Sequence, residues 1–467
     1  MKKNWLSSKL LGVFVLLGCS SVAQQTNSFT VQQAVEYSMK NATQVKNALL
    51  DINVQEQVNR QITATAFPQV SGSIGGTHYM NIPVQSLPNF ISPATYQVLI
   101  DEGVKNGSGN NIAFPNGGDF GTIAAQFGVP WTASAGVDFS QLLFDGQVFV
   151  GLMARDAVRD FYVKTAEVTK EQIKANVMKI YYQLVVGKSQ LASLDANISR
   201  FEKLLHDTKE IYKSGFAEKL DVDKVLVQLN NINTEKEKIL HMLQSGNSGL
   251  KFLMGMPQKQ NLLLTDTLSE ESLKSNILEE QYDFKNRKEF QLLAVAEKLG
   301  DYNVRRYKLS KIPTIAAFGT YSKNAQRSAF NFFNKGDWFT TSLVGFKIAI
   351  PLADGNRKNA LIQQSKYELQ KTRNNIEQLK QSIDYDVEQS RIKMKTALLT
   401  MDNQKRNIGL AESVYNTTKK KYEQGLGSNM EIYNAQTELK VAQTNYFNSL
   451  YDAITARIDY LKASGKL

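Results

Sequence analysis

Between residues 173 and 205 the apolar positions Ile173, Val177, Ile180, Leu184, Leu191, Leu194, Ile198, Phe201 and Leu205 alternate at spacings of four and three, and Gly187 fills the single gap. An apolar period of 3.5 predicts a helix whose narrow stripe lies against other long helices. A plain coiled-coil spacer satisfies this stretch as well. A second pattern has period two. Trp131, Ala133, Ala135, Val137 and Phe139 alternate with Thr132, Ser134, Gly136, Asp138 and Ser140, which predicts a strand with one apolar and one polar face. Residues 338–350 repeat it, with Trp338, Val344, Phe346 and Ile348 on one face and Lys347 on the other.

The two patterns recur together. Gly136–Gly146, ending Asp145-Gly146, aligns with Gly345–Gly355, ending Asp354-Gly355. Tyr212-Lys-Ser-Gly215, followed by Asp221, aligns with Tyr422-Glu-Gln-Gly425, followed by Glu431. Asn41 precedes Pro68 by the same interval as Asn286 precedes Pro313. The chain therefore reads as a duplication, with a first repeat at 30–257, a connector at 258–275 and a second repeat at 276–465. Each repeat is expected to hold a helix of about 36 residues (31–66 or 276–311), two strands, a long helix of ~66 residues, about 100 Å at 1.5 Å per residue, and a last helix of about 34. The strands are expected at 69–79, 131–142, 314–322 and 338–350. Between the first two, Pro83 to Pro130 reads as a long mobile loop with Gly- and Asn-rich turns.

Composition sharpens this. Only 9 of 467 residues are proline, and none falls in 131–256 or 352–467. Proline breaks helix interiors, so these deserts suit unusually long helices. Residues 68–145 hold one Lys and five acids, well below the chain's 21% charge. Ten alternating residues suit a tilted transmembrane β-strand, and a Trp at its start suits an interfacial anchor. A strand in a soluble sandwich alternates similarly; the export signal described next favours the membrane. Four strands cannot close a barrel alone, and lipid does not tolerate open edges, so several chains must share one.

The N-terminus is an export signal, residues 1–23. Lys2 and Lys3 precede the apolar Leu10–Leu17, and Ser21-Val22-Ala23 offers a cleavage site. Two readings compete, because Leu16-Leu17-Gly18-Cys19 resembles a lipobox that would lipidate Cys19. No later run of eighteen apolar residues exists, so no transmembrane helix is expected.

The formal charge of +11 invites a nucleic-acid partner, but Lys and Arg alternate with Glu and Asp along helical stretches, which reads as solvated helix faces and argues against one. One Cys and three His (His78, His206, His241) cannot build a thiolate zinc site or a disulfide framework, and no metal or cofactor is expected. The chain holds no HExxH, nucleophile-elbow or phosphate-loop motif, so an enzyme is disfavoured.

The duplicated order of helix, proline-led strand, strand ending in Asp-Gly, long helix, Tyr-x-x-Gly and helix resembles the TolC family of outer-membrane efflux channels. The resemblance covers nearly the whole mature chain. It implies an α+β membrane protein: a homotrimer sharing a twelve-stranded β-barrel, four strands per chain, with duplicated long-helix hairpins forming a periplasmic α-barrel. It implies a passive exit duct of a tripartite efflux or secretion system, in the outer membrane, served by a periplasmic adaptor and an inner-membrane pump. A periplasmic coiled-coil adaptor or structural protein is the alternative, though adaptors usually carry a single helical hairpin.

The resemblance also implies site residues. The Tyr-x-x-Gly breaks correspond to the periplasmic tip, so Gly215, Gly425 and Gly427 are candidate adaptor contacts; plain helix capping explains them equally. Tyr422 leads the second break. Nine and twelve positions after it, where the family carries acids around the closed pore, stand Glu431 and Asn434, which reduces any acidic filter. Five after it the family's basic gate residue is replaced by Gly427. Asp221 is the first-repeat counterpart of Glu431, itself also readable as an ordinary first-turn acid.

Overall fold

The computed structural model describes residues 27–467 apart from 268–269, 275–280 and 335. The signal segment 1–23, with both readings of Cys19, lies outside the described residues, as do parts of 258–275 and the start of the helix expected from 276. In chain order the elements are β1 (Asn27–Phe29), α1 (Val31–Asn41), α2 (Thr43–Ala64), β2 (Gln69–His78), β3 (Val84–Pro88), α3 (Ile91–Asp101), β4 (Thr122–Gln126) and β5 (Trp131–Phe144). Then come α4 (Gly146–Lys213), α5 (Lys219–Met254), β6 (Leu262–Leu264), α6 (Lys288–Leu309), β7 (Thr314–Arg327), β8 (Phe339–Ala349), α7 (Arg357–Glu423) and α8 (Asn429–Ala463). Apart from the β3–α3–β4 insertion, helix, strand, strand, long helix and helix run in the same order twice.

The long helices α4 and α7 have 68 and 67 residues, about 100 Å each at 1.5 Å per residue. The Asp-Gly landmarks explain where they begin. The Asp145 carboxylate accepts the N–H groups of Gln147 and Val148 at 2.7 and 3.2 Å, and that of Asp354 accepts the Lys358 N–H at 3.0 Å. Each satisfies donors that a helix start leaves orphaned.

The chain forms two compact units that cut across the sequence halves. One contains the described residues up to Glu56, Asp156–Gly300 and Glu368–Leu467; the other contains Gln57–Arg155 and Asp301–Tyr367. In the first, α4 is buried on more than a narrow stripe. Ile173, Val177 and Leu184 pack with Ala34 and Val45 of α1–α2 and Leu250 of α5. Ala175 and Val186 pack instead with Ile383 and Met394 of α7 and Ile454 of α8. Phe201 and Leu205 join Val225, Ile232, Tyr415, Ile432 and Leu439 in a third cluster. The expected seam is present, and it widens because α4 meets different neighbours on different sides. Gly187 has a reason: a Cβ there would lie 2.9 Å from both Leu243 and Met242. β1 pairs with β6 in parallel.

In the second unit β2, β5, β7 and β8 form one antiparallel sheet in that order. Pro68 and Pro313 stand just before β2 and β7, and Pro351 follows β8, where a missing N–H costs no ladder bond.

Two expectations are corrected. The first helix of each half is not a continuous 36 residues. It breaks at Ala42, whose ψ of 126° leaves the helical region, and in the second half a 3₁₀ turn at Phe284–Asn286 and an extended Arg287 precede α6. The cause is another chain segment pressed against each break: Gly255 lies on Asn41, and Gly465 on Asn286. The stretch 83–130 is not a featureless loop. β3 pairs antiparallel with β4 around α3, and Tyr96, Phe114 and Phe120 stack with centroids 5.4–6.5 Å apart. Its turn signals were legible; the aromatic contacts across them were not.

Candidate functional site

The two Tyr-x-x-Gly breaks form tight, similar turns. After α4, Gly215 takes φ 85°, its N–H bonds the Tyr212 carbonyl at 2.9 Å, and the Phe216 N–H bonds the Ile211 carbonyl at 3.1 Å. After α7, Gly425 takes φ 74°, its N–H bonds Tyr422 at 3.0 Å, and the Leu426 N–H bonds Lys421 at 2.9 Å. This is the Schellman closure, which needs a left-handed residue that glycine supplies without strain. Gly427 differs. Its φ is not left-handed, and a Cβ there would sit 3.1 Å from the Tyr422 nitrogen, so it is close packing that favours glycine. Phe216 and Leu426 remain 87% and 78% exposed, leaving each turn with an uncovered apolar tip.

The helices that leave the turns begin with side-chain caps. Glu218 and Asp221 form a capping box, with the Glu218 N–H donating to Asp221 Oδ2 at 3.2 Å. Asp221 is therefore engaged locally. At α8, Ser428 Oγ accepts the Glu431 N–H at 3.2 Å. The Glu431 carboxylate and the Asn434 amide are both exposed and, three residues apart, share one helix face.

Tyr422 is brought to α4. Burial pushes its phenol pKa up, the charge of Asp207 adds to this, and Thr208 opposes it. The fully buried Thr208 hydroxyl lies 2.7 Å from the Leu204 carbonyl and 2.9 Å from Asn429 Oδ1, tying α4 to the start of α8. Arg200 lies over the Tyr415 ring at 5.6 Å and donates to Asn197 Oδ1 at 2.8 Å. Arg200, Leu204, Asp207, Tyr415 and Tyr422 line a groove of about 170 Å³ with Lys419 and Gln436. Thr208, Asp207 and Asn429 were missed from sequence. One signal was available, since the four-three spacing that reaches Leu205 continues to 208 and puts a hydroxyl on an apolar seam.

The sheet largely sorts its faces by register. Val70, Ile74, Ala135, Val137, Phe139, Tyr321, Val344, Phe346 and Ile348 share one face with Lys323 and Ser342; Ser71, Ser73, Ser134, Asp138, Thr320, Ser322, Thr341 and Lys347 share the other with Phe318 and Leu343. Most large residues of the apolar face are exposed, Ile74 at 92% and Val344 at 90%. On the polar face Thr320 donates to Asp138 at 2.7 Å. At the loop end, aromatic rings cluster. His78 and Trp131 are 4.0 Å apart, Trp131 and Phe330 5.1 Å, and Phe332 and Trp338 6.3 Å. The outer edges of β2 and β8 have no partner among the described residues. No described helix is long and apolar enough to cross a membrane.

The profile of the family described as "Outer membrane efflux protein" matches residues 284–466. The chain is 19% identical to outer membrane protein TolC of Vibrio cholerae serotype O1 over 338 residues, 72% of this chain and 77% of that protein. Among solved structures it resembles the Campylobacter jejuni CmeC outer membrane channel, with TM-score 0.72, 14% identity and coverage of 100% of this chain and 94% of that one. It also resembles the outer membrane protein VceC of Vibrio cholerae, with TM-score 0.69, 12% identity and coverage of 93% and 96%.

Proposed function

We infer that this chain is a member of the outer membrane efflux protein family, whose profile matches residues 284–466, and is the outer-membrane channel of a tripartite efflux or secretion system, a passive exit duct with a periplasmic helical extension. The observation that carries this reading is the four-stranded sheet: one face mostly apolar and exposed, the other mostly polar, and the outer edges of β2 and β8 unpaired among the described residues. Lipid suits the first face and an aqueous lumen the second. Unpaired edges cannot stay open in hydrocarbon. Three chains would supply twelve strands, with β8 of each completing the ladder to β2 of the next. Because the four strands alternate in direction, that junction is antiparallel too.

The helices support a shared assembly. On α7, Tyr385, Ile392 and Leu399 stand seven residues apart and are exposed, as are Leu410 and Val414. An apolar heptad stripe left exposed by the described residues of its own chain fits a neighbouring protomer. The soluble-adaptor alternative leaves the apolar sheet face uncovered.

In this reading the paired turns form the periplasmic tip. Gly215, Gly425 and Gly427, flanked by exposed Phe216 and Leu426, offer a periplasmic adaptor close backbone approach and apolar contact. The adaptor would couple the duct to an inner-membrane pump. A three-fold ring of Glu431, weakened by the neutral Asn434 beside it, would favour cations at the narrow end. Tyr422, held beside Asp207 and Thr208, would keep α7 and α8 against α4 in the resting state, and Asp221 caps the start of α5. The protein itself performs no chemistry in this account. Purified chain inserted into planar bilayers should conduct ions from heat-dissociable trimers extracted with the outer membrane; recovery as a soluble periplasmic protein without conductance would refute it.

A further inference from the structure

The junction between helices and sheet is electrically lopsided. In the second half, 302–313 and 354–360 carry Arg305, Arg306, Lys308, Lys311, Arg357 and Lys358 against Asp354, a net +5. The corresponding residues of the first half, 57–68 and 145–151, carry Arg60 against Asp145, a net of zero. The duplicated architecture therefore does not require these cations.

Nor do the described residues neutralise them. All are exposed except half-buried Lys358, and none of the six is in a salt bridge among the described residues. Their side-chain contacts are to neutral groups. Arg306 lies 3.1 Å from the Tyr307 hydroxyl and 4.8 Å over its ring, and Lys311 donates to Asn359 Oδ1. That last bond ties the end of α6 to the start of α7, so the cations converge on one place. Arg357 and Lys358 also occupy the first turn of α7, which has no acid, where the helix dipole repels positive charge. The first turn of α4 carries no cation. Such a placement calls for an external anion.

Its position names the anion. The exposed apolar residues Phe67, Ile312, Ile350 and Leu352 lie at the same junction, marking the end of the apolar band. At about 1.5 Å per residue, Arg305 to Lys311 fall within ~14 Å of the first residue of β7. A leaflet's polar layer is roughly 5–8 Å deep, and long basic side chains reach several Å along it.

We propose that the α6–β7 and β8–α7 junction binds the phosphates of anionic phospholipid headgroups in the periplasmic leaflet, a site that rests on the membrane-channel reading above. The test uses the full-length trimer in vesicles of phosphatidylethanolamine, with or without phosphatidylglycerol. Phosphatidylglycerol should raise the temperature at which trimers dissociate, and high salt should abolish the gain. The variant combining Arg305→Gln, Arg306→Gln, Lys308→Gln, Arg357→Gln and Lys358→Gln should lose the gain, each removed charge weakening headgroup binding roughly fivefold. Arg60→Gln should keep it. Replacing the three arginines by lysine should keep it too, and this variant with the salt titration carries the test if the glutamine variant does not assemble. A conducting wild-type trimer indifferent to phosphatidylglycerol overturns the proposal. So does a glutamine variant that keeps the gain while changing the ion selectivity of the pore, because its cations then face the lumen. Wild-type protein that conducts in neither vesicle overturns the channel reading, and this site with it.

Discussion

Gly255 lies so close beneath Asn41 that a Cβ on it would stand 2.2 Å from the Asn41 carbonyl oxygen. It ends α5 at φ 69° and sits where α1 gives way to α2. The other half repeats the contact: Gly465, at φ 72°, would place a Cβ 2.9 Å from the carbonyl carbon of Asn286, just before α6. Each half is thus fastened by its last helix returning to the break in its first.

Gly255→Ala combines a left-handed strain with a backbone clash and should destabilise the protein by at least about 2 kcal/mol. Gly465→Ala, with more room, should lose less. Gly249→Ala, inside α5 with nothing within 4 Å of the new methyl, should gain about 0.5–1 kcal/mol. Denaturant titration of the three variants checks this order.

Burial raises the pKa of the Glu171 carboxyl, and Glu289 raises it further against Arg287 and Lys462. A folded value above the unfolded one means that this group lowers stability as pH rises out of the acid range, the penalty growing until the pH passes its folded value. Glu171→Gln should therefore stabilise at pH 7, with the gain vanishing below about pH 4, the unperturbed Glu range. A gain independent of pH would contradict the assignment.

Thr208→Val removes the hydroxyl between Leu204 and Asn429 without changing its volume greatly. The loss should be about 1 kcal/mol, and the freed tip should raise the resting conductance in planar bilayers. Unchanged conductance would show that this tie does not restrain the pore.

Glu431→Gln should reduce cation selectivity without altering assembly. Reversal potentials under a salt gradient measure it, and an unchanged value would remove Glu431 from the filter.

Much of this was legible in the primary structure because it rests on local periodicity. The 3.5 spacing in α4 and the period of two in β5 follow from backbone geometry, and the Asp-Gly landmarks are the caps of α4 and α7. The Asn41–Pro68 and Asn286–Pro313 interval was visible as a landmark, but its meaning as a helix break was not. That break depends on Gly255 and Gly465, which reach it from about 200 residues away. Thr208 and Asn429 likewise meet only through the packing of α4 against α8. Long-range contacts of single residues carry no period to read.

The shared barrel is tested most directly at its edges. β2 and β8 are the outer strands of the sheet, with β5 and β7 between them, so a disulfide between the two must join neighbouring chains. Cysteines at Ser73 and, one at a time, along Thr340–Lys347 should yield at one register covalent species of up to three chains in outer membranes. Chains that stay monomeric at every register, or that form ladders beyond three, would contradict a closed trimer.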